Sequence, residues 1–167
     1  MLKFIFSKRV LFLFLSFQII CASEIVIGKF DRIDLPELKL QNIRIKADTG
    51  AKTSSLHCSF IKLLDEKRVS FEVLDKTHKK YRKKRYIMPI VRIANVKSSN
   101  GHVEERYVIS TKIIIFNKSY DTEFTLRNRK KMNYPILLGR EFLQQGFLVD
   151  VSKEYLSYTK KQVKGLN

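Results

Sequence analysis

Tryptophan is absent from this chain, and cysteine, histidine and proline are scarce, with two, three and three residues in 167. With so few cysteines, a disulfide framework is not available, and the pair falls to one if the first residues are removed, leaving Cys58 alone. The three histidines, His57, His78 and His102, are widely spaced, and no His-Glu-x-x-His string occurs, so no zinc-hydrolase motif is present and no metal is expected. His57 and Cys58 are neighbours that a strand would turn to opposite faces, which weakens both a shared metal site and a Cys-His catalytic pair. A nucleotide is not expected either. Gly50-Ala51-Lys52-Thr53 echoes a phosphate-binding loop but lacks the Gly-Lys-Thr step and the upstream glycine. No cofactor is therefore assigned. Internal repeats, low-complexity tracts and linkers are also missing, and the length suits one domain with a real core.

Acidic residues are few as well. Sixteen Asp and Glu stand against thirty-three Lys and Arg, a formal charge of +17. Such an excess invites anionic partners. Much of it is local, in the run that opens on Lys76 and closes on Arg85. That run reads as a solvated loop or edge strand, or as a docking patch for an anionic envelope surface. No DNA- or RNA-binding motif accompanies it, so nucleic acid is not an expected partner.

One long apolar run exists, residues 10–20, preceded by Lys3, Lys8 and Arg9 and followed by Cys21-Ala22-Ser23. A basic start, a short apolar stretch and a small-residue ending read as a signal peptide over residues 1–23, cleaved after Ser23, with export to the periplasm. A lipoprotein at Cys21 and an uncleaved anchor are the alternatives. The remaining domain is residues 24–167.

The chain is organised around Asp48. Ile43, Ile45 and Ala47 alternate with Arg44 and Lys46, the period of a half-buried strand, and the strand runs into Asp48-Thr49-Gly50-Ala51. Gly50 allows a tight turn and Thr49 can hydrogen-bond the loop, so the site presents a carboxylate rather than hiding it. Further on, Val69, Phe71 and Val73 alternate, and residues 86–94 and 103–111 flank Asn100-Gly101 as a β-hairpin. A second hairpin is expected from residues 113–116 and 120–126 around Asn117-Lys118-Ser119. Residues 134–138 read as a strand, 140–145 as a short helix ended by Gly146, and 148–151 and 155–158 as closing strands. Many short strands between turn signals indicate a compact all-β, barrel-like fold.

Asp48-Thr49-Gly50-Ala51 resembles the active-site loop of retropepsin-type aspartic proteases. Ile136-Leu137-Leu138-Gly139-Arg140 is similar to the segment that packs behind that loop and leads into a short helix. The resemblance is closer still to one bacterial family, the RimB-like retropepsin-like endopeptidases, historically labelled ATP-dependent zinc proteases. Its pattern is matched by Gly28, Leu35-Pro36-Glu37-Leu38, the stretch from Lys46 to His57, Arg106-Tyr107-Val108-Ile109, Thr125-Leu126-Arg127-Asn128-Arg129 and Tyr134 to Arg140, with Val149-Asp150-Val151 and Tyr155-Leu156 closing it.

The resemblance implies a single-domain, retropepsin-like closed β-barrel with one short helix near the C-terminus. It also implies an aspartic endopeptidase acting on polypeptide, which together with the signal-peptide reading makes the expected enzyme an exported one. Asp48 is the expected catalytic residue, with Thr49, Gly50 and Ala51 fixing the loop and Thr53 and Ser54 adding polar support. Leu138 and Gly139 are expected behind the loop, with Arg140 bracing the helix start or a dimer. Aspartic proteolysis takes two carboxylates sharing one proton. A single Asp-Thr-Gly therefore implies a homodimer in which the Asp48 side chains of two subunits meet. The Asn-Gly hairpin stands where retropepsins carry a flap, or is an ordinary surface hairpin. Asp48 as a turn or capping residue, a non-catalytic binding module for an envelope partner, and a zinc-dependent hydrolase are the competing readings.

Overall fold

The computed structural model describes residues 24–97 and 101–164. The expected signal peptide, residues 1–23, and the Asn100 end of the expected hairpin tip lie outside the described residues. None of the described helices is long and apolar enough to cross a membrane.

Ten strands make an all-β domain. They are β1 (Ile25–Leu35), β2 (Leu40–Ala47), β3 (Ser54–Asp65), β4 (Arg68–Val73), β5 (Arg85–Pro89), β6 (Arg92–Lys97), β7 (Val103–Ile115), β8 (Lys118–Arg127), β9 (Ile136–Leu138) and β10 (Phe147–Glu154). Two helices accompany them, α1 (Arg140–Leu143) and α2 (Leu156–Lys164). The main sheet runs β10-β1-β2-β9-β3-β8-β7-β6, and β4 and β5 extend from β3 as an annex. A further pairing of Asp34 with Ile114 joins β1 to β7. The strands thus form a ring held shut at one point rather than by a continuous ladder.

Alternation sets the faces. In β2, Leu40, Ile43, Ile45 and Ala47 are buried while Gln41, Arg44 and Lys46 are exposed. Phe71, Phe124 and Phe142 are the bulkiest fully buried side chains and join Ile27, Ile33, Ile45, Leu56 and Leu138 in one core. Each such side chain contributes about 1.5–3 kcal/mol on burial. Phe116 and Asn117 link β7 to β8 with φ of 51° and 59°, the two-residue turn with positive φ at both positions that matches strand twist.

Two sequence expectations change. Residues 86–94 form two strands, not one. Pro89 ends β5, which pairs with β4, and only β6 pairs with β7 across the hairpin. Residues 155–158 open helix α2 instead of forming a closing strand, so there are two helices rather than one. The cause is Asp31, fully buried on β1, whose carboxylate accepts the backbone N–H groups of Ser157 at 2.9 Å and Tyr158 at 3.1 Å. A carboxylate on the first free amides of a helix stabilises its start. Burial pushes the Asp31 carboxyl up, and its hydrogen bonds from Ser157, Arg32 and Tyr158 oppose that shift. The run from Lys76 to Arg85 is a mostly exposed loop between β4 and β5, with the Lys80 ammonium donating to the carbonyls of Gln41 at 2.6 Å and Asn42 at 3.0 Å.

Candidate functional site: a basic cleft at the Asp48 loop

Strand β2 delivers Asp48 to the surface beside β9. Ala47 pairs with Leu138, and the Asp48 N–H donates to the Leu138 carbonyl at 2.9 Å. The half-buried Asp48 carboxylate accepts the Gly50 N–H at 3.2 Å, and the Ala51 N–H donates to the Asp48 carbonyl at 3.2 Å, closing a tight turn. Such a turn holds a half-buried carboxylate on a rigid backbone, in a loop whose Gly50 and Ala51 line a cleft.

The C-terminal segment grips this loop from behind. The Arg140 guanidinium donates from one nitrogen to the Thr49 carbonyl at 2.9 Å and the Gly50 carbonyl at 3.0 Å. The Arg140 and Glu141 amides, free at the start of α1, donate to the carbonyls of Ala51 and Lys52. The Gly139 N–H donates to the buried Ser54 hydroxyl at 3.1 Å, and a Cβ at Gly139 would lie 2.7 Å from the Thr53 carbonyl carbon. Thr53 accepts from Arg92 at 3.2 Å, and Arg92 also pairs with Glu123 and Glu141, tying β6, β8 and α1 to the loop. Asp48, Thr49, Gly50, Ala51, Thr53, Ser54, Leu138, Gly139 and Arg140 thus form one contiguous unit. Asp121 and Asp150 stand elsewhere. Asp121 pairs with Lys112 on the β7–β8 ladder, and hydrogen bonds from Ser152 hold the Asp150 carboxyl down at about 2.

A cleft of about 930 Å³ opens beside the loop, with the β6–β7 hairpin as one wall. Its lining carries seven cationic side chains, Lys52, Arg92, Lys97, Arg106, Arg127, Arg129 and Arg140, and no Asp or Glu. Arg129 is nearly buried, and burial together with the charges of Arg127 and Arg106 lowers its guanidinium to about 10, against an attraction from Asp48. A partly enclosed surface of one sign concentrates anions. The sequence drew attention to the basic run from Lys76, yet the enclosed positive charge comes from isolated arginines far apart in the chain. For Arg106, Arg127, Arg129 and Arg140 the only sequence signal was membership of the family pattern, and Arg92 carried none.

His57 lies under this wall. Its Nδ1 accepts the Arg129 N–H at 2.9 Å, so its proton sits on Nε2, which faces the Asp75 carboxylate at 3.1 Å. Burial works against the Asp75 anion, but hydrogen bonds from Thr77 and His57 hold it below the usual carboxylate range. Cys58 is fully buried in the core, where burial pushes its thiol well up, so no Cys-His nucleophile forms. Among the described residues no three His, Cys, Asp or Glu side chains gather as a metal site would require.

The fold and the loop define an all-β domain of retropepsin type. The chain belongs to the RimB-like family, described as retropepsin-like aspartic endopeptidase RimB, whose model matches residues 26–160. A crystal structure of a Legionella pneumophila protein of unknown function (DUF785) superposes with a TM-score of 0.63 at 27% identity, over 81% of this chain and 99% of that one. Curated relatives include proteins named "Probable alpha-L-glutamate ligase". The one from Shewanella halifaxensis is 35% identical over 80% of this chain and 30% of its own length, and the one from Desulfotalea psychrophila is 35% identical over 83% of this chain and 33% of its own length. A third, from Parasynechococcus marenigrum, is 37% identical over 76% of this chain and 28% of its own length. The chain thus spans about a third of the curated relatives it matches.

These names correct the function expected from the sequence. An exported, periplasmic endopeptidase that hydrolyses polypeptide through Asp48 of two subunits is not what the curated relatives are named for. Their name is that of a glutamate ligase, and they indicate an enzyme.

Proposed function

We propose that this chain is an enzyme domain acting on glutamate-bearing polypeptide, with the acidic chain held in the basic cleft and Asp48 as the acid–base group at an amide bond. The observation that carries this is the cleft itself: seven cations line a groove that ends at the Asp48 loop, and the carboxylates that reach them are fewer, Glu104 on Arg106 and Arg127 and Glu123 and Glu141 on Arg92. The name of the relatives supplies glutamate as the acidic unit. Glutamyl side chains repeat a carboxylate along an extended backbone, and an arginine-lined groove matches that repeat through charge-assisted, forked hydrogen bonds.

The finer proposal is the chemical type. The family's description supports aspartic-type chemistry, and the rigid turn that presents the Asp48 carboxylate is consistent with it. Thr49, Gly50, Ala51, Thr53, Ser54, Leu138, Gly139 and Arg140 are proposed to hold that carboxylate in place, without touching the reacting bond. Homodimerisation, and contact of the loop from Lys76 to Arg85 with an anionic surface, belong to the same proposal.

The test is incubation of the protein with peptides ending in several glutamates or several glutamines, with products read by mass spectrometry, with and without ATP and free glutamate. Shortened glutamate chains are the expected result and assign the aspartic type. Lengthened chains, only with ATP and glutamate, assign ligation. Equal handling of both peptides, or no change in either, overturns the proposal.

A further inference from the structure

Three arginines converge on one part of the cleft wall. Arg106 on β7 and Arg129 just beyond β8 are each 7% exposed, and Arg127 is the last residue of β8. One carboxylate answers them. Oε2 of Glu104 accepts from Arg106 at 2.7 and 2.9 Å and from Arg127 at 3.3 Å. Among the described residues no carboxylate oxygen pairs with Arg129, whose guanidinium donates instead to the Tyr134 carbonyl at 3.3 Å. Three neighbouring guanidiniums with one carboxylate, shared by only two of them, are unfavourable in a partly desolvated wall, and an incoming anion relieves this. A second feature lies in the same wall. The Ser55 hydroxyl is buried, 5% exposed, and has no hydrogen-bond partner among the described residues. Buried polar groups are rarely left so, because an unmet hydroxyl costs free energy.

We propose that Arg106, Arg127 and Arg129, with the Ser55 hydroxyl, form a subsite for one glutamyl carboxylate of the substrate, and that Glu104 fills it as an internal stand-in until substrate arrives. Glu104 is suited to that part. It carries the same functional group as a glutamyl unit, on a half-exposed side chain on the strand that forms the hairpin wall. The substrate's carboxylate exchanges with it, so the subsite both selects acidic chains and limits how tightly they bind. This rests on the proposed action on glutamate-bearing chains but is tested without turnover.

The measurement is fluorescence anisotropy with dye-labelled hexaglutamate and hexaglutamine, on full chain, at low salt. Arg127→Gln weakens hexaglutamate binding about tenfold, equivalent to the loss of one charge-assisted contact, and leaves hexaglutamine unchanged. Glu104→Gln tightens hexaglutamate binding several-fold. Thermal melts establish that each variant is folded, and Arg127→Lys, which keeps the charge without the fork, falls between wild type and Arg127→Gln. Unchanged hexaglutamate binding in Arg127→Gln and Glu104→Gln overturns the subsite, as does an equal loss for both peptides. If glutamate chains are processed but neither variant alters selectivity, the subsite fails alone. If binding depends on Arg127 but no chain is processed, the proposed function fails alone and the subsite stands.

Discussion

The amide of Gly139 donates to the Ser54 hydroxyl at 3.1 Å, joining residues 85 apart in sequence at the foot of the Asp48 loop. The contact leaves no room for a side chain, since a Cβ on Gly139 would meet Lys52 and Thr53 backbone atoms at 2.7–2.9 Å. Gly139→Ala forces β9 and the loop apart. The expected cost is about 1–3 kcal/mol, the range for overpacking, read as a lower midpoint in urea unfolding. Unchanged stability would mean that the two segments are not packed as described.

Arg140 holds the loop from its other side, through the Thr49 and Gly50 carbonyls. Both acceptors are exposed, so Arg140→Ala leaves the core intact and lets the Asp48 turn move. Activity on the glutamate-chain substrate is expected to fall on the order of 10- to 100-fold, as for misplacement of a reacting group by about 1 Å, with little change in melting temperature. A fall in melting temperature with unchanged turnover would assign Arg140 a purely structural part.

Asp31 governs the C-terminal helix. Its carboxyl is raised above its ordinary value of 3.8 by burial, so the folded chain holds that proton to higher pH than the unfolded one. Stability from this group is therefore greatest below 3.8 and declines as pH climbs through the raised folded value. Asp31→Asn abolishes that decline, and Asp31→Ala destabilises by about 1 kcal/mol through loss of the cap on α2. Urea midpoints measured across the acidic range check both. The same pH slope in Asp31→Asn would place its source elsewhere.

Helix α2 also shows where sequence reading stops. Residues 155–158 are short and rich in aromatic and apolar side chains, as a closing strand would be, and nothing local marks a helix start. The cap comes from Asp31, 126 residues away. The Asp48 turn was legible because its signals are local: an alternating strand, an acid, a small hydroxyl and a glycine. The segment behind it was legible through the family pattern. The cleft was not, because Arg106, Arg127 and Arg129 become neighbours only when β7 and β8 pair, and a charge count cannot distinguish an enclosed guanidinium from one in solvent. The basic run between β4 and β5 was the more visible feature of the sequence, yet it forms an open loop.

Charge in the cleft makes a further outcome measurable. Binding of hexaglutamate is expected to weaken steadily as salt rises, because screening acts on the exposed Lys52, Lys97 and Arg140. Residual affinity at high salt is expected to come from the enclosed Arg106 and Arg129, which are screened less. Salt-independent binding would show that the cleft is not the site.

The most direct measurement is the rate at which the length of a glutamate chain changes with wild-type protein and with Asp48→Asn, an isosteric change that removes the carboxylate charge on an otherwise intact turn. The prediction is that wild type alters the chain, that Asp48→Asn does so at least about a hundredfold more slowly, in line with loss of an acid–base group, and that both bind the chain comparably. Equal rates in the two proteins would contradict the assignment of the chemistry to Asp48.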